Sequence, residues 1–398
     1  VYMLTNPWLR YAWGSVDLLP ALLHQRPDGR PVAEIWMGAH AALPSSIEIG
    51  DREVGLDEFV EGSPDEALGA EVARQTGAHL PFMLKFLAAG QPLSLQVHPT
   101  RPQAEEGYRR EDAAGIPLND PARNYRDREH KPEMLYALTP FDMMCGFRPV
   151  EVISELLKGL HVPDLDPIVG HLDASDPAEA LRSALTALLT AEPTVQQHVT
   201  AAVVASALAH RDERPEYSLV VELAESFPHD IGIVASLFLN VLRVEPGESV
   251  FIGPGMIHSY IRGLGLELMA TSNNVLRAGL TAKHVDAPEM LRLVSFASGE
   301  PERLRPAPSG GATVFTPPVT DFALWAYLPA GPDDFGTRVS LIPPASGARI
   351  AVCCAGHCTL TCGDQRLVLQ PGQSAFLPDA DGAIEMTTTG TVAVAYAP

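Results

Sequence analysis

One nine-residue pattern occurs twice in this chain and limits the fold more than any other feature. Residues 244–252 and 369–377 each run apolar strand, Pro-Gly turn, apolar strand, with Pro246-Gly247 in the first copy and Pro371-Gly372 in the second. Proline presets φ for a turn and glycine accepts the positive φ that follows, so both segments reverse direction between two β-runs. We read them as one jelly-roll hairpin used twice, which predicts two β-units in a single chain. Only the first copy runs on to a histidine, His258. The second continues Leu377-Pro378-Asp379-Ala380 and offers no ligand, so the second unit is expected to be metal-free.

Between the copies the periodicity changes. Residues 34–150 mix short β-rich runs with Gly, Pro and Asp turns, and a helical period stands out only around residues 64–74. Across residues 150–239 apolar residues recur at helical spacing, in 152–157, 178–189, 195–209 and 218–225. Asp176-Pro177-Ala178-Glu179 has the composition of a helix start: an N-cap acceptor, proline in the first turn and an acidic residue behind it. Strand patterning returns after Asn240, and beyond about residue 305 it continues in 349–354, 358–361, 366–369, 374–377 and 391–396. The expected architecture is mainly β with a helical insertion: two jelly-roll β-barrels plus an α-helical domain. The divisions fall at 1–149 and 240–304 for the two parts of a metal-bearing barrel, 150–239 for the helices, and 305–398 for a metal-free barrel.

With 398 residues and 46% hydrophobic content the chain can bury substantial cores. A formal net charge of −21 argues against nucleic acid or an anionic membrane as partner, since both need a clustered basic surface. A small anion remains compatible wherever basic residues gather. No window holds the roughly 18–20 uninterrupted apolar residues of a membrane span, and the start, Val1-Tyr2-Met3-Leu4-Thr5-Asn6-Pro7, lacks a basic region followed by an apolar stretch. A cytoplasmic monomer is the expectation. The five cysteines, an odd number, make a poor disulfide framework. Cys353, Cys354, Cys358 and Cys362 cluster, but their segment alternates like a strand, with Cys358, Leu360 and Cys362 on one face as small hydrophobes.

Gln96 and His98 stand two apart in an alternating run, so on a strand both side chains leave the same face. Glu133 follows in His130-Lys131-Pro132-Glu133, and His258 closes Gly255-Met256-Ile257-His258. Any one of these histidines reads more readily as an ordinary strand residue; the combination points to one ion. Two imidazoles, a carboxylate and an amide oxygen suit Zn²⁺, with Fe²⁺, Mn²⁺ and Co²⁺ left open.

Further blocks accompany this set: Tyr11-Ala12-Trp13-Gly14-Ser15, Glu34-Ile35-Trp36-Met37-Gly38-Ala39-His40, Asn124-Tyr125, Cys145-Gly146-Phe147-Arg148-Pro149, Gly265-Leu266-Glu267-Leu268-Met269 and Asn274-Val275-Leu276-Arg277-Ala278-Gly279. In this order they resemble the type I mannose-6-phosphate isomerases (phosphomannose isomerases) of the cupin superfamily, with Gln96 where cupins usually place a first histidine. The resemblance spans most of residues 11–286 and is weaker in the C-terminal barrel. It implies one Zn²⁺ held by Gln96, His98, Glu133 and His258, with Arg277 catalytic. It also implies a pocket lined by Ser94, Lys85, Lys131, Tyr260, Glu267 and Lys283 for a small sugar phosphate. Two departures stand out. Gly253-Pro254-Gly255 replaces the usual Pro-Ala-Gly, and Ser272-Asn273-Asn274 replaces Ser-Asp-Asn, so a role for that aspartate does not transfer.

The implied reaction interconverts mannose 6-phosphate and fructose 6-phosphate through an enediol. Arg277 and Lys131 are placed to stabilise the negative charge that develops, and Glu267 or His130 is the acid/base candidate. Ser94, Lys85 and Lys283 are candidates for the phosphate. Against each stands a plain alternative: a solvated surface charge for the lysines, a solvent-facing strand residue for Glu267, packing for Trp13, Trp36 and His40. The rivals at the level of function are an Fe²⁺ oxygenase, a non-catalytic sugar-binding cupin and an isomerase of free mannose.

Overall fold

The computed structural model describes residues 1–309, 311–329, 337–339 and 347–398. The described strands form sheets of ten, seven, four and two strands. The ten-stranded sheet is organised around one long strand, His258–Ala270. Its second half lies between Phe82–Ala89 and Glu133–Ala137, and its first half meets Leu95–Val97 and Phe141–Phe147, all antiparallel. A register shift between Tyr260 and Arg262 lets the strand change partners.

Both Pro-Gly segments turn the chain, with Gly247 at φ 90° and Gly372 at φ 82°, where a side chain would be strained. Neither, however, makes the expected hairpin. Leu239–Val244 pairs with Phe141–Phe147, whereas Ser249–Ile252 pairs with Glu133–Ala137. In the second copy Gln365–Leu369 belongs to the four-stranded sheet and Ser374–Leu377 to the seven-stranded one. The repeated unit is therefore a corner that hands the chain to new partners. Alternation marks which side chains are buried and leaves open which strand lies alongside.

Helices occupy most of residues 150–238, including Val150–Gly159, Pro177–Leu189, Pro193–Ala209 and Pro215–Ser226. Asp176 accepts from the Ala178 amide as the expected N-cap. The helical period near residue 64 is two short helices, Pro64–Leu68 and Ala70–Thr76, separated at Gly69. One longer helix was not anticipated: Arg101–Ala113, which opens on a capping box between Thr100 and Gln103. It buries only Ala104, Gly107 and Glu111, so it carries almost no apolar stripe to read. Its buried Glu111 carboxylate instead accepts the backbone N–H groups of Asn124 and Tyr125 and anchors the loop they open.

The ten-stranded sheet is covered on two sides. Leu95, Val97, Leu276 and Ala278 pack into the helical cluster, while Leu84, Phe86, Met134, Tyr136, Leu266 and Leu268 pack against Leu324, Ile350, Val352 and Phe376 of the C-terminal sheet. The alternate residues, among them Leu87, Leu135, Cys145, Ile252 and Tyr260, face an interior of their own. Lys85 is the exception on its strand, since every other residue of Phe82–Ala89 is apolar and all are buried. Among the described residues no helix is long and apolar enough to cross a membrane.

Candidate active site

His98, Glu133 and His258 come from three separate strand regions, yet their ligand atoms lie within 4.8 Å of one another. All three are buried to 1% exposure or less. Their backbone placement follows from the ladder: His258 stands opposite both Gln96 and Cys145, and Gln96 stands opposite Arg277 on its other side. Leu95 and Val97 are buried toward the helices, so alternation puts Ser94, Gln96 and His98 on the opposite face.

The hydrogen bonds decide which imidazole nitrogens are available. His98 Nδ1 lies 2.7 Å from the Asn274 carbonyl oxygen, and His258 Nδ1 lies 3.0 Å from that of Met256. A carbonyl can only accept, so each Nδ1 carries a proton, and Nε2 is the nitrogen of each ring that would meet a metal. Both Nε2 atoms lie 3.3 Å from Glu133, one at each carboxylate oxygen, and neither has a hydrogen-bond partner. Burial and the Lys131 ammonium push the His98 pKa down to about 4, which keeps this imidazole neutral. Burial alone would raise the Glu133 carboxyl, but Lys131 and the two histidines outweigh it and hold its pKa well below the usual range. Lys131 Nζ sits 2.8 Å from Glu133 Oε1.

This arrangement fits a metal ion. Two donors about 2.0–2.1 Å from a tetrahedral zinc stand roughly 3.3 Å apart, the separation seen on either side of Glu133. Buried polar atoms without partners cost roughly 1–3 kcal/mol each, and His98 Nε2, His258 Nε2 and Glu133 Oε2 are three such atoms in one place. A cation would satisfy all three at once, with Gln96 on the same face to complete the set.

A second charged cluster lies on the same interior. Lys85 Nζ is 2.8 Å from Glu267 Oε2 and 3.5 Å from Glu34 Oε1. Burial opposes the ammonium charge, but Glu267 and Glu34 overcome it and raise the Lys85 pKa. Tyr260 is fully buried beside Glu267, and its hydroxyl pKa is raised by burial and by that carboxylate; the hydroxyl makes no hydrogen bond of ordinary geometry.

Arg277 is half-buried and has no carboxylate partner among the described residues; burial and nearby Arg126 lower its pKa. Lys283 stands 5.8 Å over the Tyr11 ring, its pKa lowered by partial burial and then by Arg277. Arg277 and Lys283 are thus two cations without a carboxylate partner among the described residues, in a chain of net charge −21. Ser94 is half-buried and immediately precedes the strand Leu95–Val97. His130 is placed differently from the other candidates: its Nε2 lies 2.9 Å from Asp321 Oδ1, in the C-terminal part of the chain.

Several residues here escaped the sequence reading. Asn274 orients His98 through its carbonyl, and its side chain receives the backbone N–H of Arg126. Asp127 accepts from Ser272, Asn273 and Asn274 and so fixes that loop. Asn273, at the departure from the usual aspartate, places Oδ1 3.0 Å from His40 Nε2. The block Ser272-Asn273-Asn274 was the available signal, but its partners are more than a hundred residues away.

The family model for the catalytic domain of type I phosphomannose isomerase matches residues 1–150, and that for the cupin domain of mannose-6-phosphate isomerase matches residues 343–397. The mannose-6-phosphate isomerase of Escherichia coli K12 is 37% identical across 99% of this chain and 98% of its own. That of Macaca fascicularis is 33% identical across 81% of each. A crystal structure of a variant phosphomannose isomerase from Salmonella typhimurium superposes with a TM-score of 0.91 at 36% identity, covering 100% of this chain and 99% of the other. A zinc-bound mannose 6-phosphate isomerase gives 0.90 at 36% identity with the same coverage. With a metal-competent cluster at its centre and this likeness over its whole length, the chain belongs to the type I mannose-6-phosphate isomerase family.

Proposed function

We propose that this chain is a zinc-dependent aldose-ketose isomerase that interconverts mannose 6-phosphate and fructose 6-phosphate by proton transfer through an enediol. The observation that carries the reading is the pair of buried, partnerless Nε2 atoms of His98 and His258 converging on Glu133 beside Lys131. It stands in a chain 37% identical to a mannose-6-phosphate isomerase across 99% of its length. Gln96, His98, Glu133 and His258 would hold a zinc ion, which when bound supplies Lewis-acid polarisation at the O1/O2 end of the open-chain sugar. The division into two jelly-roll barrels with a helical insertion at 150–239 belongs to the same reading.

The chain's own residues divide the remaining work. Glu267 takes the proton from C2 and delivers one to C1, exchanging with solvent in part of the turnovers, while the O2 hydroxyl proton passes to O1. The C1 aldehyde thus becomes a hydroxyl, the C2 hydroxyl becomes a ketone and no atom is gained or lost overall. It is favoured over His130 because Glu267 is buried on the interior face, while His130 is held by Asp321. Lys131 and Arg277 stabilise the enediolate oxygens, where charge develops. For the phosphate, Lys283 and Ser94 are the better donors. Lys85, expected there from sequence, is already neutralised by two carboxylates and serves the sugar end. Tyr260 walls the pocket.

Turnover in D₂O tests the route. Fructose 6-phosphate formed from mannose 6-phosphate is expected to carry solvent deuterium at C1, read by NMR. Product free of solvent deuterium would leave a shielded transfer and a hydride shift to be separated by Glu267→Gln, and near-normal turnover in that variant would remove the role given to Glu267.

A further inference from the structure

We infer that Glu34 is a positioning residue for this reaction: its carboxylate competes for Lys85 with the nearer Glu267 and so limits how tightly the ammonium holds the Glu267 carboxylate. The inference rests on the isomerase reading above. Three adjacent strands build the arrangement. Lys85 lies on the middle strand, Trp36 stands directly opposite it on one side and Glu267 directly opposite on the other. Glu34 precedes Trp36 by two residues, so both leave the same face of their strand, while Ile35 and Met37 pack into the core behind.

The charges do not balance. Glu34, Lys85 and Glu267 are 7%, 6% and 3% exposed, and together they place two carboxylates around one ammonium. A buried ion pair is weak evidence of a stabilising device, and an excess buried charge is weaker still. Glu34 is nevertheless anchored: Oε2 accepts the Trp36 indole N–H at 2.9 Å, which turns Oε1 toward Lys85. The Trp36 ring itself lies 5.3 Å from the ammonium. Lys85 already contacts Glu267 at 2.8 Å and lies 3.5 Å from Glu34, so removing the Glu34 charge leaves the ammonium to Glu267 alone and makes that carboxylate a weaker base. Glu34 makes no contact with the metal cluster; its charge also reaches Lys283, so an effect through that lysine would appear in KM, and one through Lys85 in kcat.

Two substitutions separate charge from shape. Glu34→Gln keeps the length and an acceptor for Trp36 but removes the charge; Glu34→Asp keeps the charge but shortens the reach. A positioning role through charge predicts that Glu34→Gln loses kcat on the order of 10²-fold with KM little changed, and that Glu34→Asp recovers part of that loss. A packing role predicts the reverse order, with Gln the more active. Both variants are to be compared with the parent for zinc content, Tm and mannose 6-phosphate turnover. The inference holds if Asp exceeds Gln in kcat while both retain zinc. It is overturned if Gln matches the parent or exceeds Asp, or if zinc is lost in step with activity. Should Glu34→Gln fail to fold, Trp36→Phe removes the anchoring N–H together with part of the ring beside the ammonium and is expected to lower kcat in the same direction; an unchanged kcat there overturns the inference. An inactive parent would overturn the isomerase reading and this one with it.

Discussion

His258→Ala is expected to lose bound zinc and isomerase activity together. The imidazole is fully buried, its Nδ1 is committed to the Met256 carbonyl, and its Nε2 has only Glu133 and a bound cation as possible partners. Alanine removes a donor from the middle of the cluster and leaves Glu133 with Lys131 and His98 alone. Loss of Lewis-acid stabilisation worth about 4 kcal/mol corresponds to roughly a thousandfold in rate. Metal content by mass spectrometry and turnover by a coupled assay should fall in parallel. Retained zinc with lost activity would mean that His258 acts on the sugar rather than on the metal.

Arg277→Ala is expected to behave differently, keeping zinc while kcat/KM falls by about 10²- to 10³-fold, the usual consequence of removing one preorganised donor to developing charge. Arg277 stands opposite Gln96 in the ladder, close to the metal ligands without belonging to them. Its half-buried guanidinium has no acidic partner among the described residues, so its charge is available to an incoming anion. Arg277→Lys should recover only part of the rate, because a point charge does not reproduce the planar fork. Near-normal turnover by Arg277→Ala would remove its catalytic role.

The distribution of what was legible in sequence follows from the range of each signal. Side-chain alternation is local, so the shared face of Gln96 and His98 could be read directly, as could the helical period in residues 150–239 and the Asp176 cap. Partner choice is not local. The Pro-Gly turns at Gly247 and Gly372 were recognisable as reversals, but their strands pair with segments far away in the chain, and the hairpin reading failed for that reason. The helix Arg101–Ala113 escaped because its buried face consists of an alanine, a glycine and a glutamate. The cluster of Glu34, Lys85 and Glu267 assembles residues up to 233 positions apart in number (267 minus 34), and nothing near any of them announces the other two. His130 was singled out by its neighbours in sequence, while its hydrogen bond is decided by Asp321 on another sheet's approach.

The most direct measurement is turnover of mannose 6-phosphate to fructose 6-phosphate by the purified chain, before chelation, after chelation and after zinc is returned. Activity that disappears with the metal and comes back with zinc is the expected result. A chain verified to hold one zinc ion that leaves mannose 6-phosphate unchanged, or one that turns it over at full rate when metal-free, would contradict a zinc-dependent isomerase.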